Sequence, residues 1–220
     1  MSKINAINNK TGSLTIDPGA SGDSFIQYSI NGTGEFCTGV DDTDDSYRIS
    51  QGSALGTNDT FVITDVGEIT KPLQPAFLAT TNDYINNQTG DGTVYTVAYA
   101  TEYFDQGGDY NNGTYTFTAP ITGRYRFKAS ILANEIASNH TSGYLQIVTS
   151  NRTYRSNVIN YWIAHIASGA NAQTNVGHVT VLCDMDASDT ALVQVSISGG
   201  AKQIEIGYTN RGIFSGELEC

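Results

Sequence analysis

The sequence predicts an all-β protein: a sandwich or jelly roll in the C-terminal two-thirds of the 220 residues, with a short β-rich segment before it. Three observations carry this. Short runs rich in Val, Ile, Thr, Tyr and Phe recur between clusters of Gly, Asn, Ser and Asp. No stretch keeps a helical period over several turns. The composition, 39% hydrophobic and 15% charged with 23 Gly and 13 Tyr, suits strands joined by polar turns and does not suit a disordered chain.

The N-terminal part, residues 1–72, reads as a series of very short strands at 14–17, 24–30, 35–40, 46–50 and 60–64. Turns such as Asp17-Pro18-Gly19 and Asn31-Gly32 separate them. Large apolar residues are about a quarter of this part, too few for a segment below about 80 residues to build a robust core alone. Copies that share one axial core would solve this, because identical apolar stripes then meet. The expectation is a short β-rich stalk shared by several copies of the chain. Lys71-Pro72-Leu73-Gln74-Pro75 follows as a stiff linker.

In residues 73–220 strands are expected at 114–118, 124–131, 144–149, 153–159, 177–183, 191–197 and 203–208. Ala119-Pro120-Ile121-Thr122-Gly123 is a turn. In the strand after it, Tyr125, Phe127, Ala129 and Ile131 share one face, with Arg124, Arg126 and Lys128 opposite. The polar stretch 82–93, with Tyr84 near its start, reads as a loop and a possible contact surface.

Between Tyr99 and Phe127 the residues Asp105, Tyr110, Phe117, Gly123, Tyr125 and Phe127 fall in the register of the C1q globular-head signature, which this stretch resembles. Tyr99 stands where that pattern opens on Phe, and Ala129 where an aromatic usually follows the last Phe. Phe214-Ser215-Gly216-Glu217-Leu218 is similar to the family's final strand and Pro75-Ala76-Phe77-Leu78-Ala79 to its first. The resemblance implies a jelly roll of the tumour-necrosis-factor-like superfamily and a homotrimer, and some C1q-like heads bind calcium. More loosely, the run from Phe36 to Ser50, then Leu55–Asp59 and Phe61–Thr64, resembles modules of tailed-bacteriophage fibre proteins.

The net charge of −11, with no cluster of Lys and Arg beyond Arg124, Arg126 and Lys128, excludes nucleic-acid phosphates as partners. No segment is apolar for the length of a membrane span, so membrane insertion is not expected. MSKINAINNKTG has no apolar core of the kind a secretory signal needs. The Asn-x-Thr sequons at Asn9, Asn31, Asn58, Asn87, Asn112, Asn139 and Asn151 are therefore read as turn and solvent-face composition and not as glycan acceptors. Cys183 lies in an apolar strand and reads as a small buried hydrophobe, while nothing brings Cys37 and Cys220 together; no disulfide framework is implied.

Chemistry is sparse. His140, His165 and His178 have no metal-ligand spacing. Two acidic loops, Asp41-Asp42-Thr43-Asp44-Asp45 and the one holding Asp184, Asp186 and Asp189, could offer oxygen ligands to calcium, the one cofactor considered. Neither has the EF-hand pattern, and solvated turns are the plainer reading. Glycosidase chemistry would need two carboxylates across a sugar cleft. No enzyme is expected. Tyr161, Trp162 and His165, with the only Trp of the chain, precede a small-residue run and are candidate receptor contacts, since loop aromatics are favoured anchors.

The function expected is a virion structural protein, a homotrimeric tail or head fibre assembled in the host cytoplasm and acting outside the cell. Its C1q-like head would bind a host-surface glycan or protein, and its N-terminus other virion proteins. A secreted C1q-like recognition ligand and a polysaccharide-degrading virion enzyme are the alternatives.

Overall fold

Strand alternation and Gly/Asn turns organise the chain as a computed structural model that describes residues 15–19, 21–157 and 173–220. Every regular element among them is a strand. The chain divides into two compact units between Leu73 and Gln74.

The first unit is one antiparallel sheet in chain order: β1 (Ser24–Ile30), β2 (Thr33–Asp41), β3 (Ser46–Gln51), β4 (Asp59–Ile63) and β5 (Ile69–Thr70). Asn31-Gly32, both with positive φ, closes the β1–β2 hairpin. Expected strands 24–30, 35–40, 46–50 and 60–64 are present within a residue or two at each end; the first, 14–17, is not a strand at its described residues.

One side of this sheet carries Cys37, Asp41, Ser46, Arg48, Ser50, Asp59 and Val62. Arg48 bonds Asp41, Asp44 and Asp59, and its Nε donates to Ser46 Oγ at 2.7 Å. Ser50 Oγ donates to Asp59 Oδ1 at 2.5 Å. Burial works against the Arg48 charge, but the bond to Asp59 and the three carboxylates outweigh it and hold the guanidinium firmly protonated. The 52–58 loop lies over this side: Gly56 N donates to Asp59 Oδ1 at 3.0 Å, and a side-chain carbon on Gly56 would stand 2.8 Å from Asp41 Oδ2. Leu55 of that loop is buried.

The second unit is a sandwich. Its strands are β6 (Ala76–Thr80), β7 (Ile85–Thr89), β8 (Tyr95–Thr96), β9 (Thr101–Gln106), β10 (Tyr110–Asn111), β11 (Thr116–Thr118), β12 (Gly123–Ile136), β13 (Ser142–Thr149), β14 (Thr153–Asn157), β15 (Gln173–Met185), β16 (Thr190–Ser198), β17 (Ile204–Ile206) and β18 (Ile213–Leu218). One sheet runs β7-β17-β12-β18-β6-β9, with β15 also on β12; the other runs β10-β11-β16-β13-β14, with β8 on β16. Eight of these strands pair in a nest: β6 with β18, β11 with β16, β12 with β15, β13 with β14. A long antiparallel hairpin rolled across two sheets is the jelly roll.

The rungs from Tyr99 to Phe127 are its interior. Tyr99, Tyr110, Phe117, Tyr125 and Phe127 are buried, with Ala129 and Ile131 continuing the row. Phe77 from β6 stacks on Tyr110 at 4.6 Å between ring centroids and on Phe117 at 5.1 Å, and meets Phe214 edge-on at 5.0 Å. Asp105, near the end of β9, caps the turn that follows: its carboxylate accepts from Asp109 N at 3.1 Å and Tyr110 N at 3.0 Å. The short strand β11 begins at Thr116 and not at 114, because Tyr115 adopts a positive φ in the preceding turn. Stretch 82–93 is not simply a loop: β7 lies in it and pairs with β17.

Candidate functional site

A cleft of about 610 Å³ opens in the sandwich at the margin where β15 and β14 end the two sheets. Each element contributes for a reason visible in its pattern. Arg124 is at an outward position of β12, directly opposite Asp184 on β15. Leu182 shares that outward side and is exposed. Asn151 and Arg152 come from the tight turn between β13 and β14, closed by Thr149 N on Arg152 O at 2.8 Å. Tyr154, half-buried on β14, and Cys183 complete the wall.

Among the described residues neither Arg124 nor Arg152 forms an ion pair, so two guanidiniums face one cleft in a strongly acidic protein. Burial raises the Tyr154 hydroxyl above its ordinary value, with the nearby Cys183 adding and Arg152 opposing, so the phenol stays a neutral donor. Cys183 donates its thiol to the Tyr125 carbonyl at 3.6 Å, and burial pushes it up to about 11, which leaves no nucleophilic thiolate near neutral pH. Among the described residues Asp184 is the one carboxylate lining the cleft. The arrangement can hold an anionic or hydroxyl-rich group by charge and hydrogen bonds; it does not present the two opposed carboxylates that hydrolysis of a sugar bond needs.

Tyr161, Trp162 and His165 lie outside the described residues. Asp184, Asp186 and Asp189 are not gathered as a calcium ligand set. Asp184 points outward from β15, whereas Asp189 Oδ2 accepts from Asp186 N at 2.9 Å and from Asn151 Nδ2 at 2.6 Å and so closes its own turn. The acidic run from Asp41 is likewise not a free solvated turn, because Arg48 draws in Asp41 and Asp44. Asp23, Asp41 and Asp42 do converge, with oxygens within 4.8 Å of one another. Each already has a partner: Asp23 accepts from Asp42 N, Asp42 from Gly22 N, and Asp41 binds Arg48.

His140 is buried and hydrogen-bonded. Ala137 N donates to its Nδ1 at 2.9 Å, which puts the proton on Nε2, 3.2 Å from the Ala201 carbonyl. It is a structural tie between two loops. Cys37, Cys183 and Cys220 are all free. Among the described residues no helix is long and apolar enough to cross a membrane.

The sequence signalled Arg124 through its alternation with Arg126 and Lys128, but nothing in it signalled Arg152. That residue joins the cleft only because the two edge strands close on each other.

No family model and no curated protein matches the chain. Solved structures similar to it include the globular domain of zebrafish complement 1qA protein, at TM-score 0.45 and 15% identity over 67% of this chain and 98% of that one. Murine APRIL is similar at TM-score 0.44 and 9% identity, over 66% of this chain and 99% of that one. The Eiger TNF of S. frugiperda is similar at TM-score 0.45 and 10% identity, over 67% and 94%. The jelly-roll assignment rests on the nested pairing of the eight strands.

Proposed function

We propose that this chain is a recognition protein, a homotrimeric virion fibre whose C1q-like jelly-roll head binds a repeated glycan or protein on a host surface. The observation that carries the recognition reading is the cleft of about 610 Å³ whose described lining holds two guanidiniums outside any ion pair, one phenol and a single carboxylate. That chemistry favours holding a ligand over transforming it. Three heads on one stem would multiply a weak contact when the receptor is repeated on the cell. The virion setting draws on the resemblance of the N-terminal run to fibre modules, and the N-terminal unit is the part that would meet other virion proteins.

The test is retention of the full chain on intact bacterial cells, set beside Arg152→Ala in the cleft and Trp162→Ala. Retention that falls at least tenfold with Arg152→Ala supports the head as the binding part and the cleft as its contact. Loss only with Trp162→Ala moves the contact to that residue. No retention on any host, or release of reducing sugar from host polysaccharide, defeats the reading.

A further inference from the structure

Residues paired directly across neighbouring strands project to the same side of a sheet, so register sorts the N-terminal sheet into two faces. The side opposite the Arg48 cluster is apolar in three adjoining rows. Ile69, Ile63, Tyr47 and Val40 form one, ending on Ser24; Phe61, Ile49, Thr38 and Ile26 the next; Phe36 and Tyr28, with Gln51 beside Phe36, the third. No charged residue stands in these rows. Seven of the side chains are well exposed: Ile26 43%, Tyr28 55%, Phe36 46%, Val40 39%, Tyr47 41%, Ile49 37% and Ile69 60%. The sheet thus buries its polar face under the 52–58 loop and leaves its apolar face open.

Three aromatic side chains of about 150–250 Å² each and four aliphatic ones, roughly half exposed, make this face on the order of 600 Å² of largely apolar surface. Single surface hydrophobics need no explanation, but a patch of this size does. A stable interface takes about 800 Å² from each partner, which the half-buried Phe61 and Ile63 and the flanks of the rows bring within reach.

We infer that this face is where copies of this chain meet, apolar face against apolar face around a common axis. A second copy is the occupant that the charges select. The chain carries −11 overall, so copies repel across most of their surfaces, and here they meet on a face without charge. Two polar groups at the centre of the face are satisfied within it, since the Thr38 and Tyr47 hydroxyls hydrogen-bond each other at 2.7 Å. That pair can go dry without stranding a donor, and the Tyr28 hydroxyl and Gln51 amide stand in the outermost of the three rows. A unit this small, whose one enclosed side is mainly an ionic cluster, also needs association to reach ordinary stability. The inference takes the number three from the homotrimer reading but not the surface.

The test is sedimentation equilibrium of the full chain over a wide concentration range, parent against Ile49→Glu, with hydroxyl-radical footprinting of Tyr28 and Tyr47 in the parent. The expected result is an oligomer whose dissociation constant rises at least 100-fold in the variant. Tyr28 and Tyr47 should be protected when assembled and reactive once the parent is diluted to monomer. Should the variant fail to fold by circular dichroism, the parent's footprint decides alone. A parent that stays monomeric overturns the inference, as does an oligomer with Tyr28 and Tyr47 freely reactive. So does protection that persists in the monomer, which would place the cover within one chain. Assembly through this face without retention on cells supports the interface and defeats the adhesion reading; a cell-binding monomer does the reverse.

Discussion

Arg48 Nε lies 3.2 Å from Asp41 Oδ2, and the same guanidinium reaches Asp44 at 2.5 Å and also Asp59. The three carboxylates come from the end of β2, the turn after it and the start of β4, so one side chain ties the sheet across its middle. Asp41 and Asp59 are buried. Removing the guanidinium leaves them without a counter-charge, which costs about 3–5 kcal/mol for a buried pair that loses one member. Arg48→Met is expected to lower hydrogen-exchange protection over residues 24–63 by two to three orders of magnitude, roughly the same free energy, while the jelly roll keeps its own. Unchanged protection would mean that the cluster is ornamental.

Asp44 adds a pH dependence to the same cluster. The Ser46 hydroxyl, then the Ser46 amide and Arg48, hold its carboxyl below the ordinary value of 3.8, against a smaller opposing effect of burial. A depressed folded value means that the stabilisation is present above 3.8 and is lost as pH falls through and below it. Exchange protection in β2 and β3 should therefore drop on acidification below that value. Asp44→Asn should flatten the drop.

Gly216 is the inward residue of β18 between two rings. A side-chain carbon there would stand 2.5 Å from Phe127 and 2.6 Å from Phe77. Both rings are fully buried, Phe77 stacked on Phe117 and Phe127 edge-on to it, so neither can swing aside. Gly216→Ala is expected to destabilise the jelly roll by about 1–3 kcal/mol, the usual cost of overpacking. Chemical denaturation followed by near-ultraviolet circular dichroism of the aromatic cluster measures it. A midpoint shift of less than about 0.5 kcal/mol would show that the β6–β18–β12 layer yields more easily than its packing implies.

These two sites mark how far the sequence could be read. Gly216 sits in the strand that resembles the last of a C1q head, and its neighbours Phe214 and Leu218 keep strict alternation, so strand and inward face were both legible. β12 and β16 were legible for the same reason. β7 was not, because Ile85-Asn86-Asn87-Gln88-Thr89 has no alternating apolar set. Its place is secured by Thr89, whose hydroxyl and the Ile197 backbone bond one another across the sheets, a contact 108 residues apart. The Arg48 cluster was hidden in another way. Local reading makes Asp41 to Asp45 a solvated turn; only the β2–β3 and β3–β4 registers, which bring Gly39 and Val62 opposite Arg48, turn it into an ionic core. The cleft was least legible of all, since Arg152 and Arg124 meet only through the closure of two edge strands.

The three thiols separate by burial. Cys220 is exposed, while Cys37 and Cys183 are buried and unpaired. Burial raises both buried thiols, and Cys183, with the Asp184 charge adding, rises to about 11 from an ordinary 9.0. At pH 8 the native chain should release one equivalent of thiol rapidly to an aromatic disulfide reagent, and all 3 after denaturation. The same shift sets an alkaline limit on stability. Between 9.0 and about 11 the unfolded thiol sheds a proton that the folded one keeps, so stability is intact below that window and falls as pH rises through it. At about 1.4 kcal/mol per unit, Cys183 accounts for roughly 2–3 kcal/mol of the loss. Denaturation midpoints of the parent and Cys183→Ala across that range should converge, the variant lacking this slope while keeping whatever the buried tyrosines contribute above it. Parallel slopes in the two proteins would remove Cys183 as the source.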